Sequence, residues 1–263
     1  TLSRGLGDVY KRQSLNHGGM HRPIKKECTR NMQMSNNIAI IGYGIVGKAT
    51  HEVLLDHINV EIHDPEKGLK CDYKNADAVF ICTPYEHVGK YMNELKHNEN
   101  VFVRSTIPLE WVINTDFAVW PEFLTERTWK DDANKPLCLV CGGTEDNLDV
   151  LKNITKFKYN WFLTENHIAA LMKNSTNVFY AMKVSYANIL YDLCDEYGIP
   201  YKELQECIKQ DPRMGDEHWQ VPGPDGKRGY GGKCFPQNLQ IMLDQTEKND
   251  LLIEVERYNN NIR

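Results

Sequence analysis

Ile38-Ala39-Ile40-Ile41-Gly42-Tyr43-Gly44-Ile45-Val46-Gly47 is the stretch that decides the fold of this chain. Its apolar start is typical of a buried parallel strand, and the Gly-x-Gly-x-x-Gly turn that follows leads into a helix. A second run, Val60 to His63, ends at Asp64. That acid lies about 20 residues beyond the first glycine, where dinucleotide-binding units place a carboxylate on the adenosine ribose. The order of strand, glycines, helix, strand and acid therefore predicts a Rossmann-type domain that binds NAD in preference to NADP.

The alternation of strands and helices continues after this unit. Two more buried strands are predicted, Ala78 to Cys82 and Val101 to Val103, and each is followed by small polar residues. The C-terminal ends of parallel strands line the ligand crevice of an open sheet, although small polar residues also occur there as ordinary turn chemistry. The candidate cofactor contacts are then Gly42, Tyr43, Gly44, Ile45, Val46, Gly47, Asp64, Cys82, Thr83, Pro84, Ser105 and Thr106.

The pattern changes at Thr164. Apolar residues recur at helical spacing up to Gly198, with Pro200 beyond, which predicts one long helix with a defined end. Lys173 and Asn177 lie four residues apart on this helix, and such a polar pair either faces solvent or points at a ligand. We therefore predict an α/β fold, a Rossmann-type doubly wound parallel sheet followed by an all-α domain built on the long helix. The predicted divisions are a disordered extension that comes partly from cloning or sequence assembly (1–33), an NAD-binding Rossmann domain (34–160) and a helical domain for dimerisation and catalysis (161–263).

A glycine-rich loop near the C-terminal end carries a cysteine, in the order Gly231-Gly232-Lys233-Cys234-Phe235-Pro236. Glycines let a ligand approach the backbone, and Pro236 suits the first turn of a helix. Cys234 is thus expected just before a helix N-terminus, where the helix dipole stabilises a thiolate. It is either a nucleophile or a buried and inert thiol, and the loop alone does not decide between these.

A pair of acidic residues follows a short predicted strand at Ala118 to Trp120. Pro121 is expected to begin a turn of helix that places Glu122 and Glu126 on one face. Carboxylates at this spacing occur more often on a solvated face than in an acid–base site.

Composition limits the possible partners. Thirty-six acidic residues against thirty-one basic ones give a net charge of -5, which argues against nucleic-acid and anionic-membrane surfaces. No apolar run reaches the length of a membrane span, so a cytoplasmic protein is expected. Eight scattered cysteines fit reduced thiols better than disulfides, and Cys138-x-x-Cys141 fits an apolar core better than zinc. No metal site is predicted.

Taken together, these motifs resemble the nucleotide-sugar (UDP-glucose/GDP-mannose) dehydrogenase family over about residues 36 to 263. The motifs that carry the resemblance are Gly42 to Gly47 with Asp64, Ser105-Thr106-x-Pro108, Pro121-Glu122-Phe123-Leu124-x-Glu126, Lys173-x-x-x-Asn177, Arg213 and Gly231-Gly232-x-Cys234-Phe235-Pro236. The resemblance implies an oxidation of a sugar CH2OH group to a carboxylate with two molecules of NAD, such as UDP-glucose to UDP-glucuronate. It also implies a homodimer formed through the long helix.

The resemblance also implies roles for single residues. Cys234 would be the nucleophile that captures the aldehyde as a thiohemiacetal and later carries a thioester. Lys173 and Asn177 would stabilise the alkoxide and the oxyanion, and Glu122 would manage the proton or the hydrolytic water. Thr106 and Glu126 would lie near the nicotinamide and the substrate. The remaining implied substrate contacts are Phe123, Leu124, Tyr230, Gly231, Gly232 and Arg213, the last of which would reach the sugar of the neighbouring subunit.

Two departures from the family pattern bear on these expectations. Asn238 stands where the family has an aspartate, so it is expected to position water without taking a proton. Relatives carry a second Rossmann-like domain that grips the nucleotide, and this sequence ends before it, which suggests a short form or a truncated record. The alternatives are a single-step hydroxyacid-type dehydrogenase, which would have no use for Cys234, or an inactive cofactor-binding and dimerisation module.

Overall fold

A computed structural model describes residues 37–263 of the chain. These described residues belong to one compact unit. The extension predicted over residues 1–33 lies outside the described residues.

The described residues are built on one seven-stranded sheet with the order β2-β1-β3-β4-β5-β6-β7. All neighbouring strands in it are parallel except β5 and β6, which pair antiparallel. The Rossmann-type α/β fold is thereby confirmed. The strands are β1 (Asn37–Ile41), β2 (Asn59–His63), β3 (Ala78–Ile81), β4 (Val101–Val103), β5 (Ala118–Val119), β6 (Leu139–Gly142) and β7 (Trp161–Thr164).

The central strands are buried on both faces, as a parallel sheet covered by helices requires. All four residues of β3 are buried, and the rings of Phe80 and Phe102 stack with their centroids 5.1 Å apart. This packing fixes the carboxyl ends of β1, β3 and β4 along one edge of the sheet. The helices of this part are α1 (Ile45–Val53), α2 (Tyr85–Glu94), α3 (Trp129–Asn134) and α4 (Glu145–Ile154).

Two features of this part differ from the sequence prediction. β7 adds a further parallel strand beside β6 that was not predicted from the sequence. The helical turn expected at Pro121 is absent, since residues 121–125 run without regular structure. There the Glu122 carboxylate accepts a hydrogen bond from the backbone N–H of Leu124 at 2.9 Å, which holds the segment in a turn of a different kind.

The long helix is present as α5 (Asn166–Tyr197), and Gly198 ends it in the left-handed conformation. α5 packs against β5 and β6, and a Cβ on Gly142 would stand only 2.5 Å from that of Ala169, so the glycine permits this close approach. α6 (Tyr201–Ile208), α7 (Cys234–Asp244) and α8 (Asp250–Ile262) also pack on α5. α5 is thus the element that joins the sheet to the helices that follow it. The division of domains at residue 160 stays a prediction.

Three further findings concern the described residues only. None of their helices combines the length and apolar content that a membrane span needs. Their seven cysteines are all free thiols. Nowhere among them do three or more His, Cys, Asp or Glu side chains converge in a way that could hold a metal ion.

Candidate active site

The glycine turn after β1 has the shape that a pyrophosphate needs. Gly42 adopts a φ of +87°, and a Cβ there would lie 2.8 Å from the carbonyl oxygen of Cys82. A Cβ on Gly47 would collide with the carbonyl oxygen of Gly42, so this position also requires glycine. Gly44 has no neighbour in front of it, which leaves the start of α1 open to an approaching phosphate.

Asp64 lies at the end of β2, next to this turn. Its carboxylate accepts a hydrogen bond from the Tyr43 backbone N–H at 2.9 Å and pairs with the Lys67 ammonium at 3.0 Å. Partial burial raises the pKa of Asp64, but these two contacts outweigh it and leave that pKa below its usual value. Asp64 is therefore ionised at neutral pH, as a ribose-binding carboxylate must be.

The ends of β3 and β4 meet beside the turn. The Ser105 hydroxyl donates to the backbone oxygen of Thr83 at 2.7 Å and ties the two strand ends together. The Thr83 hydroxyl is buried and has no hydrogen-bond partner among the described residues. An orphaned hydroxyl in a crevice of this kind suits a ligand that bonds to it. Half-buried Thr106 follows Ser105 at this edge, and Pro84 caps the N-terminus of α2.

Cys82 is a packing residue in this structure. It is buried, and burial raises the pKa of its thiol to about 11, although the Arg104 guanidinium opposes this rise. Its position next to Thr83 brings its backbone, rather than its sulfur, to the edge of the glycine turn.

Cys234 is the first residue of α7, and it is exposed. Desolvation by the surrounding protein raises the pKa of its thiol; the Lys173 ammonium lowers that pKa, and the carboxylates of Glu122 and Glu126 raise it. The expected stabilisation of a thiolate by the helix N-terminus is thus overcome, since desolvation and two carboxylates act against it. The thiol is protonated at neutral pH and needs a base to become a nucleophile.

Asn238 lies one helical turn beyond Cys234 and is buried. Its amide donates to the Cys234 carbonyl oxygen at 2.8 Å, while its own side-chain oxygen is buried and has no partner within residues 37–263. The side chain therefore braces the start of α7 and leaves an acceptor free.

Lys173 and Glu122 form a buried ion pair 3.0 Å long, with 8% and 12% of the two side chains exposed. The Lys173 ammonium also donates a hydrogen bond to the Glu122 backbone oxygen and lies 5.1 Å from the centre of the Phe123 ring. Lys173 thus faces away from solvent, as does buried Asn177 one turn later on α5. Of the two readings that the sequence pattern allowed, solvent exposure is wrong.

The other predicted substrate contacts differ in how exposed they are. Glu126 is exposed and lies within electrostatic reach of the Cys234 thiol. Leu124 is half-buried, and its backbone N–H donates a hydrogen bond to the Glu122 carboxylate. The Arg213 side chain is 86% exposed and is held by Asp211 of the same turn. In a single chain its guanidinium therefore faces solvent.

The glycine loop before Cys234 is clamped by α8. The side chain of Asn259 accepts from the Tyr230 N–H at 2.7 Å and donates to the Tyr230 carbonyl at 3.1 Å. Tyr230 and Asn259 are both buried, so this pairing takes the place of water. Beyond it, Gly231 and Gly232 lead to Cys234, and Gly232 adopts a φ of +74° with open space in front of it.

We expect Asn259→Ala to lower the free energy of unfolding by about 2 kcal/mol, because it leaves one buried N–H and one buried carbonyl unpaired. Circular dichroism during urea unfolding would measure this. Asn260→Ala is the matched control, since the neighbouring Asn260 is exposed. Equal stability of the two variants would contradict the clamp.

Sequence reasoning missed Arg104, which lies directly after β4. Its side chain is buried, and its guanidinium carbon lies 3.7 Å from the centre of the Trp120 ring. Its Nε and Nη1 have no hydrogen-bond partner among the described residues. It lines a cavity of about 30 Å³ together with Trp120 and Glu122. The available signal was a charged residue placed between a fully apolar strand and the Ser105-Thr106 pair.

Comparisons with known proteins show what this chain is similar to. Residues 167–261 match the UDP-glucose/GDP-mannose dehydrogenase family, central domain. A UDP-glucose 6-dehydrogenase of Rickettsia typhi is 26% identical over 206 residues, which cover 67% of this chain and 46% of that protein. The chain thus spans about half the length of the curated relatives that it matches first.

Two solved structures illustrate the shared fold. A UDP-glucose dehydrogenase of the hyperthermophilic archaeon Pyrobaculum islandicum superposes with a TM-score of 0.66 at 22% identity, over 90% of this chain and 69% of that one. A 3-hydroxyisobutyrate dehydrogenase of Mycobacterium tuberculosis gives a TM-score of 0.70 at 16% identity, over 87% and 94%. At these identities the likeness concerns the fold alone.

Proposed function

We propose that this chain, whose resemblance to the UDP-glucose/GDP-mannose dehydrogenase family is confirmed by the central-domain match, is an NAD-dependent nucleotide-sugar dehydrogenase. The reaction that we favour is the four-electron oxidation of UDP-glucose to UDP-glucuronate. The observation that carries the proposal is the convergence of Cys234, Lys173 and Glu122 from three separate elements. A cysteine, an ammonium and a carboxylate in electrostatic contact are the groups that aldehyde capture requires.

The residues present fit NAD, which would supply the hydride acceptor for both oxidations. The open glycine turn of Gly42, Gly44 and Gly47 would hold the pyrophosphate, and ionised Asp64 would bond the ribose hydroxyls. The orphaned hydroxyl of Thr83 provides a further polar contact in the same crevice.

The chain's own groups can then handle the sugar carbon. The Cys234 sulfur would attack the aldehyde carbon, so that a C–S bond forms while the carbonyl π electrons move onto oxygen. Lys173 and Asn177 would stabilise the resulting oxyanion. Oxidation of this adduct leaves a thioester on Cys234, which water hydrolyses to the carboxylic acid and the free thiol.

Glu122 is the group that we assign to proton transfer. The Cys234 thiol is protonated at neutral pH and must lose a proton to a base before it attacks. Glu122 lies in electrostatic contact with this thiol, and no carboxylate stands at Asn238 to share the work. We therefore assign both the thiol proton and the proton of the hydrolytic water to Glu122.

The test is an NADH absorbance assay with UDP-glucose, GDP-mannose and UDP-N-acetylmannosamine. Two NADH per molecule of acid are expected with the true substrate, since each oxidation releases one hydride. Absence of NADH with all three sugar nucleotides would reject the proposal.

A single-step hydroxyacid-type dehydrogenase is the second candidate. The 94% coverage of the 3-hydroxyisobutyrate dehydrogenase shows that a fold of this extent makes up nearly all of that protein. This candidate predicts one NADH per product and full activity of a Cys234→Ser variant. A third candidate, a non-catalytic cofactor-binding module, predicts NAD binding by calorimetry without sugar-nucleotide binding.

A homodimer through α5 is part of the proposal. Exposed apolar side chains recur along α5 at spacings that place them on one face, and we call this set the α5 stripe. Its members are Ile168, Leu171, Met172, Phe179, Tyr186, Ile189, Leu193 and Tyr197. An apolar face of this length is unfavourable in water, and a second copy presenting the same stripe would cover it.

The Cys234 nucleophile must also remain a free thiol, which favours the reducing cytoplasm as the location of the protein.

We expect Phe179→Glu to convert the dimer into a monomer, because Phe179 is 61% exposed in the middle of the stripe and a carboxylate there would be buried on association. Sedimentation velocity would measure the change. Asn260→Glu adds the same charge at an exposed position of α8 and should leave the dimer intact. A wild-type protein that sediments as a monomer at all concentrations would contradict the proposal.

A further inference from the structure

Arg104 is the least explained charged group among the described residues. Its side chain is buried, and neither Nε nor Nη1 has a hydrogen-bond partner there. Buried guanidinium groups are costly unless paired, and native interiors leave few such donors unsatisfied. Trp120 offers one face of its ring, at 3.7 Å, but a ring face cannot accept the in-plane N–H groups as a carboxylate does.

The carboxylate of Glu122 is a candidate partner for this guanidinium. Glu122 follows Trp120 by two residues in the segment without regular structure, and it lines the same cavity as Arg104. Burial lowers the pKa of Arg104, and Cys82 and then Glu122 act to raise it, so the Glu122 carboxylate lies within electrostatic reach of the guanidinium. In this structure, however, Glu122 forms its ion pair with Lys173.

The cavity supplies the room that a change of partner needs. Protein interiors are close-packed, so a buried side chain can reorient only where free volume adjoins it. The cavity holds about 30 Å³, which is enough to admit a water molecule. Arg104 and Glu122 both line it, and Glu122 lies outside any helix or strand.

We propose that Arg104 is the second partner of Glu122, to which the carboxylate turns when Lys173 is released. The switch matters because Lys173 has two tasks that exclude each other. Paired with Glu122, its charge is neutralised, whereas an oxyanion on the substrate needs the full charge of the ammonium. Arg104 is thus a positioning residue: it pairs with Glu122 whenever that carboxylate is ionised while Lys173 is turned towards the substrate oxygen. This role for Lys173 rests on the proposed function, whereas the pairing itself does not.

A double-mutant cycle on stability tests the pairing without any turnover. Each single variant, Lys173→Met or Arg104→Met, leaves Glu122 one cation and should unfold only slightly more easily. The double variant leaves the carboxylate without either cation in a buried site. Its unfolding equilibrium constant should rise at least about tenfold beyond the product of the two single effects, a coupling typical of residues that share a partner. Adding Glu122→Gln should abolish this coupling.

Further variants separate pairing from mere packing. Arg104→Lys keeps a cation at the position, so combining it with Lys173→Met should recover most of the lost stability. If the double Met variant fails to fold, folding of the triple variant with Glu122→Gln supports the pairing, and failure of the triple variant overturns it. If the effects of the two single variants on the unfolding equilibrium constant simply multiply, the pairing is also overturned. That result is expected if water in the cavity, rather than Glu122, hydrogen-bonds to Arg104.

This test is independent of the enzymatic assay. The cycle needs only the purified chain, circular dichroism and a denaturant. Coupling without NADH formation would support the pairing and reject the proposed function. NADH formation without coupling would support the proposed function and reject the pairing.

Discussion

The Cys234→Ser variant is expected to lose net formation of acid by roughly 10^3-fold or more, because a serine hydroxyl is a far weaker nucleophile than a thiolate. Without capture of the aldehyde no thioester can form, so at most one NADH per sugar nucleotide is released. Stopped assays that quantify both NADH and acid would show this change of stoichiometry. The folded structure should survive, since Cys234 is exposed at the start of α7.

Cys207→Ser is the matched control. Cys207 is an exposed cysteine on α6 with no part in the candidate site, and its replacement should leave both the rate and the stoichiometry unchanged. A Cys234→Ser variant that still yields two NADH per acid at the wild-type rate would remove the nucleophile from the proposed mechanism.

The Lys173→Met variant is expected to lower kcat by about 10^2- to 10^3-fold, the usual cost of removing an oxyanion-stabilising group. The loss should fall mainly on kcat rather than on KM, because the ammonium acts on charge that develops only during the reaction. Its stability should fall less than the roughly 3–5 kcal/mol that breaking a buried ion pair costs, since Arg104 remains available to Glu122.

Lys202→Met serves as the control for Lys173, since Lys202 is exposed on α6. Steady-state kinetics and urea unfolding of both variants would be compared side by side. A Lys173→Met variant with an unchanged kcat would contradict the role at the oxyanion. If its KM were raised as well, Lys173 would be assigned to substrate binding.

The parts of the fold that local sequence determines were predicted correctly. The run from Ile38 to Gly47 specifies strand, turn and helix through neighbouring residues, and the long helix ends at Gly198 as its left-handed conformation requires. β7 was missed because Trp161–Thr164 is short and partly exposed, and its pairing with β6 depends on residues about 20 positions away.

The site is harder to predict because its contacts join distant parts of the chain. The spacing of Lys173 and Asn177 places them on one helix face, but whether that face meets solvent depends on Glu122, 51 residues earlier. The same limit applies to Asn259, which clamps Tyr230 across 29 residues, and to Arg104, whose surroundings are set by the segment after β5. The raised pKa of Cys234 follows from such surroundings too, and the helix start alone suggested the opposite.

The indole beneath Arg104 gives this protein a built-in optical reporter. Trp120 is almost fully enclosed, lies 3.7 Å from the guanidinium carbon and meets the Phe80 ring edge-on at 5.8 Å. Indole emission responds to nearby charge, so any event that draws the guanidinium or its carboxylate neighbour to a new position changes the colour or intensity of this fluorophore. Trp120 is one of five tryptophans in the chain, and a change of partner at Arg104 should appear as a change in its share of the emission, without an attached dye.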